Sequence, residues 1–187
     1  MTDSRFPSSA GLATVTSSST DSTNGITLDA RFPQPGRGKR PSDRDPWIAP
    51  AELAGLTGAD DRRGVELRFI DIEIDLDAAP ASTEDAYVRL HLLSHCLVAP
   101  NSLNLDGICG KLPNVAWTTA GPMLPEEYAS RLPALKRAGI TAVGLDKFPR
   151  LTDYVVPQGV RIADSSRVRL GAHLAPGTTV MHEGFVN

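Results

Sequence analysis

The sequence is short of cysteines and of long apolar runs. Cys96 and Cys109 are the only cysteines, too few for a disulfide framework and without CxxC spacing. That usage is typical of the reducing cytoplasm. No apolar run approaches the roughly 20 residues of a membrane span, and the first residues lack the basic and apolar regions of a secretion signal. The sequence therefore predicts a cytoplasmic protein with no membrane partner.

Aromatic residues and net charge are also scarce. Aromatics make up 5% of the chain, and 19 basic against 22 acidic residues give a formal net charge of -3. Neither a basic surface for nucleic acid nor a base-stacking surface is predicted. A chain of 187 residues with 41% hydrophobic residues has room for one globular domain and a piece of a second.

What the sequence does have is a six-residue repeat at its end. The aliphatic positions are Val156, Ile162, Val168, Leu174, Val180 and Val186, and four residues after the first five of them come Val160, Ser166, Ala172, Thr178 and Gly184. A period of six fits neither an α-helix nor a simple strand. It is typical of hexapeptide repeats, three of which make one coil of a left-handed parallel β-helix. Residues 154–187 are therefore predicted to start such a β-helix.

The repeat is short for a solenoid. Coils bury their core against neighbouring coils, so about three or more repeating units are needed for stability. Here the pattern covers fewer than two coils and stops within a hexapeptide, at Val186-Asn187. We therefore expect the chain to be the N-terminal part of a longer protein, with the β-helix truncated.

The residues before the repeat predict an α+β fold in two parts. Residues 1–46 are rich in Ser, Thr, Gly and Pro and predict a flexible segment, in which an Asn24-Gly25 hairpin joins strands over 12–16 and 26–32. Residues 47–153 predict the α+β domain itself. Its expected elements are a helical turn over 47–56, a strand over 65–75 with a bulge at 69–70, a helix from Ser82 to Pro100, a strand over 114–119, a helix over 125–138 kinked at Pro133, and a strand over 141–145.

The helix after Ser82 carries two histidines with metal-ligand spacing. Its buried stripe is predicted at Ala86, Leu90, Leu93 and Leu97. His91 and His95 lie four residues apart, so both face one side of the helix. With no third ligand nearby in sequence, the pair is either part of a zinc site or two hydrogen-bonded histidines.

Five stretches together resemble one family. They are Leu90-His-Leu-Leu-Ser-His95, Asp146-Lys-Phe-Pro-Arg150, Asp153-Tyr-Val-Val-Pro157, Gly159-Val-Arg-Ile-Ala-Asp164, and the run from Val168 to Asn187. The chain is similar there to the actinobacterial tetrahydrodipicolinate N-succinyltransferases, most strongly from Asp146 onward. The resemblance implies an α+β domain followed by a left-handed β-helix, in homotrimers whose active sites lie between subunits. It also implies succinyl transfer from succinyl-CoA to ring-opened tetrahydrodipicolinate, in the diaminopimelate route to lysine.

The resemblance also implies roles for individual residues. The catalytic carboxylate and most of the coenzyme A groove belong to later coils, so no catalytic residue is predicted in this chain. Glu183 matches a position that binds Mg²⁺ together with an acidic residue of the preceding coil, where this chain has Ser166. Because a hard cation prefers carboxylate oxygen, that substitution weakens the case for magnesium.

Three cations are candidates for binding the carboxylates of the substrate. Lys147, Arg150 and Arg161 have the chemistry for it, although surface or intersubunit salt bridges explain them equally well.

The sequence also leaves other functions open. His173 and His182 fit another hexapeptide acyl-CoA transferase with a histidine base, or a γ-type carbonic anhydrase, which needs a third zinc-binding histidine. A non-catalytic trimeric β-helix interaction module is the alternative outside enzymes.

Overall fold

The computed structural model describes residues 5–17, 25–36 and 50–187. The strands are β1 (Ser8–Thr16), β2 (Thr27–Arg31), β3 (Gly58–Asp60), β4 (Val65–Glu73), β5 (Val115–Thr118), β6 (Gly121–Met123), β7 (Ala142–Asp146), β8 (Arg161–Ile162) and β9 (Thr179–Val180). The helices are α1 (Pro50–Ala54), α2 (Thr83–Ser94), α3 (Ile108–Lys111) and α4 (Pro125–Arg137), with 3₁₀ turns at Leu151–Asp153 and Ser165–Arg167. The fold is therefore α+β, as predicted. None of the helices in these ranges has the length and hydropathy that a bilayer crossing requires.

Three sheets organise the strands. The strand orders are β2-β1-β4-β3, β6-β5-β7 and β8-β9. The first two sheets are antiparallel, whereas β8 and β9 are parallel. The predicted hairpin strands are confirmed as β1 and β2, which pair antiparallel with Ala13 opposite Ala30, while Asn24 of the expected turn lies outside the described residues.

Strand β4 is regular, so the bulge predicted at Phe69-Ile70 is wrong. Its pairing with β1 runs from Val65 to Glu73 without a register shift. The alternation of hydrophobic residues changes phase because one face of the strand is covered near its start and the opposite face is covered further along. Val65 packs with the second sheet, whereas Ile70 and Ile72 pack against the core around α2. The register shift lies instead in the β1–β2 pair, next to Thr14.

Helix α2 is buried on all sides rather than along one stripe. Every residue from Asp85 to Ser94 is buried, and Ser82 caps the first turn by accepting a hydrogen bond from the Asp85 amide at 3.2 Å, as predicted. The helix ends at Ser94 and not at Pro100. Cys96 adopts a left-handed conformation (φ 54°) that stops the helix, and it leaves Leu97 outside the helix and half exposed. The prediction for Leu97 was therefore wrong.

Helix α4 follows the sequence signals closely. Pro125 occupies its first turn. Gly139 takes a left-handed conformation (φ 76°), and the Ile140 amide donates to the Leu135 carbonyl at 2.9 Å. Pro133 lies within the helix, and the kink expected there stays a prediction.

The C-terminal segment pairs in parallel with a constant offset. Arg161 lies opposite Thr179 and Ile162 opposite Val180, and an isolated bridge joins Val168 to Val186. Each pair is 18 residues apart, the length of three hexapeptides. Val168, Leu174 and Val180 are buried, as the repeat predicts.

The repeat does not extend to its first predicted position. Val156 is 80% exposed. The inward orientation that the hexapeptide repeat predicts for its aliphatic positions is therefore wrong for this residue. Its neighbour Val155 is buried instead, because the Val155 amide bonds the Leu151 carbonyl of the preceding 3₁₀ turn at 2.9 Å and directs this residue into the core.

Candidate functional site

A cavity of about 460 Å³ lies between the first sheet, the β5–β6 turn and the 3₁₀ turn at Leu151–Asp153. Its polar wall carries the guanidinium groups of Arg31, Arg63 and Arg150 and the carboxylates of Asp29 and Asp153. Its apolar wall is formed by Leu12, Leu67, Trp117 and Pro122. A pocket of this size and mixed lining is typical of binding sites for small organic molecules.

Arg63 is the most buried of the three arginines. Its Nε donates to Asp60 Oδ2 at 2.7 Å and its Nη1 to the Pro122 carbonyl at 3.3 Å. Partial burial raises the pKa of Asp60, but the hydrogen bonds and charge of Arg63 outweigh that effect and hold the pKa below its usual value. The Arg63 guanidinium lies where a side chain at Gly121 would be, 2.3 Å from the position of a Cβ. Gly121 is therefore required at this turn, the more so because its φ is +120°.

Arg150 and Arg31 meet at Asp153. Arg150 binds the Asp153 carboxylate with two nitrogens, Nε at 3.0 Å and Nη2 at 3.1 Å. Arg31 donates from Nη2 to the Asp153 backbone carbonyl, and its guanidinium lies over the Tyr154 ring, 5.1 Å from the centroid. This stacking and the carbonyl bond fix the direction of Arg31.

Asp29, which is buried, and Tyr154, which is half-buried, lie next to Arg31 in the cavity. The Tyr154 hydroxyl donates to Asp29 Oδ2. Burial raises the pKa of Asp29, partly offset by hydrogen bonds from Thr14 and Tyr154. Burial, together with the nearby Asp29 charge, also raises the pKa of Tyr154 well above its usual value. The pair therefore favours a protonated tyrosine that donates to the carboxylate.

Of the three predicted substrate cations, the cavity contains only Arg150. Lys147 donates from Nζ to the carbonyls of Cys109 at 2.8 Å and Leu112 at 2.9 Å, and so it holds the two ends of the α3 segment together. Arg161 is exposed on β8 and does not line the cavity.

The two predicted magnesium ligands do not make a site within one chain. Glu183 is exposed, and the Ser166 hydroxyl donates to Asp164 Oδ1 at 2.7 Å. The 18-residue offset puts Ser165, not Ser166, in register with Glu183. One carboxylate and one hydroxyl fall short of the six oxygen ligands of Mg²⁺. Within the described residues no group of three or more His, Cys, Asp or Glu side chains could hold a metal ion.

The four histidines fall into two sets. His91 and His95 stack with ring centroids 5.9 Å apart, and His91 Nε2 lies 3.3 Å from the Ala30 carbonyl oxygen and 3.4 Å from the Phe32 amide. Burial, with a smaller contribution from His95, lowers the pKa of His91 to about 3. His91 therefore acts as a neutral core residue between α2 and β2. His173 and His182 belong to the C-terminal segment and do not line the cavity.

Sequence reasoning missed four members of the cavity: Asp29, Arg31, Arg63 and Tyr154. They come from three distant parts of the chain; Tyr154 and Asp29, for example, are 125 residues apart. No local pattern marks them. Gly121 shows the difficulty: its φ of +120° and its close contact with Arg63 both require glycine, but that contact exists only in the folded chain.

Comparisons with known proteins point to one family. The family model described as tetrahydrodipicolinate N-succinyltransferase middle matches residues 112–150. A 2,3,4,5-tetrahydropyridine-2,6-dicarboxylate N-succinyltransferase of Salinispora tropica is 70% identical over 106 residues, which are 55% of this chain and 33% of the relative. The enzyme of the same name from Pseudomonas aeruginosa is 60% identical over 113 residues, or 59% of this chain and 33% of that relative.

A solved structure agrees with these sequence matches. A putative 2,3,4,5-tetrahydropyridine-2-carboxylate N-succinyltransferase from Campylobacter jejuni superposes with a TM-score of 0.66 at 25% identity, covering 97% of this chain and 58% of that one. The matched part spans about a third of the length of the two curated relatives. The resemblance predicted from the sequence is confirmed: this chain is homologous to part of the tetrahydropyridine dicarboxylate N-succinyltransferases.

Proposed function

We propose that the protein is a tetrahydrodipicolinate N-succinyltransferase, which transfers succinyl from succinyl-CoA to the amino group of ring-opened tetrahydrodipicolinate in lysine biosynthesis through diaminopimelate. The observation that carries the proposal is the 70% identity over 106 residues with an enzyme of that name. The product is an amide, and coenzyme A leaves as the thiol. The acceptor amine loses a proton in the step, which a base must take up.

The C-terminal segment is proposed to start a left-handed parallel β-helix. Two observations support this: parallel pairs with an 18-residue offset on both sides of the 3₁₀ turn at Ser165–Arg167, and the burial of Val168, Leu174 and Val180 six residues apart. An offset of three hexapeptides is one coil of such a solenoid. The proposed domains are 1–46, 47–153 and 154–187, although β1 and β2 share a sheet with β4.

Arg161 is the best candidate of this chain for a substrate carboxylate. It is exposed on β8, and among the described residues no carboxylate lies within ion-pair distance of its guanidinium. Lys147 and Arg150 already bind acceptors of this chain. A free guanidinium can bind a carboxylate with two parallel hydrogen bonds. The proposal assigns the catalytic carboxylate to no residue of this chain.

Assembly and cofactors complete the proposal. A homotrimer, cytoplasmic location and succinyl-CoA as co-substrate follow from the family resemblance. Magnesium would need carboxylates beyond Glu183 of one chain, such as the same residue of other subunits.

Genetic complementation tests the proposal. The gene from the source organism is expressed in a bacterium whose own succinyltransferase gene has been deleted and which therefore requires diaminopimelate for growth. Growth without diaminopimelate is the expected result. A matched empty vector and a gene for an unrelated hexapeptide acetyltransferase serve as controls. If the expressed, folded protein supports no growth, the assignment to this acceptor is wrong.

A further inference from the structure

Arg31 is the cation of the cavity that the fold leaves without a carboxylate partner. Within the described residues no carboxylate lies at ion-pair distance from it. Its Nη2 donates to the Asp153 carbonyl, while no hydrogen bond to a described residue uses Nε or Nη1. Because the guanidinium is fixed over the Tyr154 ring, those two donors are held ready for a planar acceptor such as a carboxylate.

The other two arginines of the cavity are paired with carboxylates. Asp60 pairs with Arg63, and Asp153 binds Arg150 through two nitrogens. Asp29 is buried and accepts a hydrogen bond from Tyr154, and its charge attracts Arg31 although the two groups form no ion pair at bonding distance. What this wall offers a ligand carboxylate is therefore the two unused donors of Arg31, Nε and Nη1, rather than an excess of positive charge. A second anionic group would meet Asp29 or Asp153 and lose its hydration without a cation to replace it.

The remaining wall suits a hydrocarbon body. Leu12, Leu67 and Trp117 line it, and Trp117 is itself fixed by the bond from its Nε1 to the Asp146 carbonyl at 2.9 Å. Burial of apolar surface on these side chains stabilises a bound hydrocarbon chain roughly in proportion to its area. The volume of about 460 Å³ lies in the range of sites for small organic ligands.

We infer that this cavity is a binding site for a small organic acid with a single carboxylate and an apolar body. Arg31 binds the carboxylate, and Leu12, Leu67 and Trp117 contact the body. The inference does not rest on the proposed function.

Tryptophan fluorescence gives a direct test. The chain has two tryptophans, Trp47 and Trp117, so a Trp47→Phe protein reports from the cavity alone. It is titrated at pH 7 with hexanoate, 1-hexanol and succinate. Hexanoate is expected to saturate the signal, with affinity about tenfold or more above that of hexanol, which lacks the charge, and of succinate, which lacks the apolar body.

Variants identify the groups involved. Arg31→Gln is expected to weaken hexanoate binding about tenfold or more, and Arg31→Lys, which keeps the charge but not the fork geometry, to weaken it less. Leu67→Ala tests the apolar wall without touching Arg31; it should weaken hexanoate and leave acetate unchanged. Arg68→Gln is the matched control, since Arg68 pairs with Glu66 on β4 and does not line the cavity.

Three results would overturn the inference. Equal affinities for hexanol and hexanoate would show that the carboxylate contributes nothing to binding. Tighter binding of succinate than of hexanoate would assign the cavity to dicarboxylates. The third result is that Arg31→Gln and Leu67→Ala, with unchanged circular dichroism spectra, both bind hexanoate as tightly as the control variant. In that case the ligand binds elsewhere.

Discussion

Tyr154 donates its hydroxyl hydrogen to the buried carboxylate of Asp29, and the bond joins the strand β2 to the chain segment that enters the C-terminal repeat. The two residues are 125 positions apart. Arg31, two residues further along β2, also holds this segment by donating to the Asp153 carbonyl. The start of the repeat is therefore fixed to the first sheet by polar contacts as well as by hydrophobic packing.

Tyr154→Phe should destabilise the protein by about 1–3 kcal/mol, because it leaves a buried carboxylate without one of its donors. The free energy of unfolding in urea measures the loss. In Tyr154→Phe/Asp29→Asn the charge is gone as well, so the two changes together should cost less than the sum of the single changes. Additive costs would show that the bond contributes little.

Gly121→Ala should destabilise the protein by a few kcal/mol. A Cβ at this position meets Arg63 Nη1 at 2.3 Å and the backbone has a φ of +120°. The control is Gly110→Ala in α3, where a Cβ meets nothing within 4 Å. Thermal unfolding of the two variants should differ clearly; the same midpoint for both would contradict the packing of Arg63 on Gly121.

Lys147→Met should also destabilise the fold, by about 1–3 kcal/mol, since the carbonyls of Cys109 and Leu112 lose their charged donor. Lys136→Met, on the exposed end of α4, is the matched control with the same change of charge. Hydrogen exchange of the α3 segment should speed up in the Lys147 variant only. Unchanged exchange there would return Lys147 to the list of substrate-binding candidates.

Stability should fall with acid in a way that depends on His91. Its pKa is lowered from 6.5 to about 3 in the folded protein, so the unfolded state binds the proton first as pH falls. The histidine's contribution is complete above pH 6.5 and decreases by about 1.4 kcal/mol per pH unit down to about pH 3. Asp29 has the opposite sign, because its pKa is raised in the folded state.

Variants separate these contributions to the pH dependence. His91→Gln should flatten the dependence of the unfolding free energy between pH 6.5 and 4, whatever its effect at pH 7. His182→Gln, at an exposed position, is the matched control for the loss of one imidazole. If the slope of His91→Gln matches that of the unaltered protein, the acid sensitivity has another source.

The parts of the fold that depend on local chemistry were predictable. The Ser82 cap, the Pro125 start and Gly139 end of α4, and the six-residue spacing from Ile162 onward all follow from neighbouring residues. The predictions that Val156 and Leu97 are buried were wrong because each residue follows a local change of chain direction. For Val156 this is a 3₁₀ turn, and for Leu97 it is the left-handed conformation of Cys96.

The cavity was not predictable from the sequence. Its arginines become a site only when the first sheet, the β5–β6 turn and the Leu151–Asp153 turn come together. Arg150 was singled out by its charge, but its partner Asp153 and its neighbour Arg31 were not. Long-range pairings of this kind depend on the fold as a whole, which one sequence does not reveal residue by residue.

Acceptor-dependent release of coenzyme A tests the proposed acyl transfer most directly. The protein is purified from its source organism and incubated with carbon-13-labelled succinyl-CoA, with and without tetrahydrodipicolinate. We predict thiol release that requires the acceptor, with the label recovered by mass spectrometry in an N-succinyl product. Thiol release at the same rate without the acceptor, or none with it, would contradict the account.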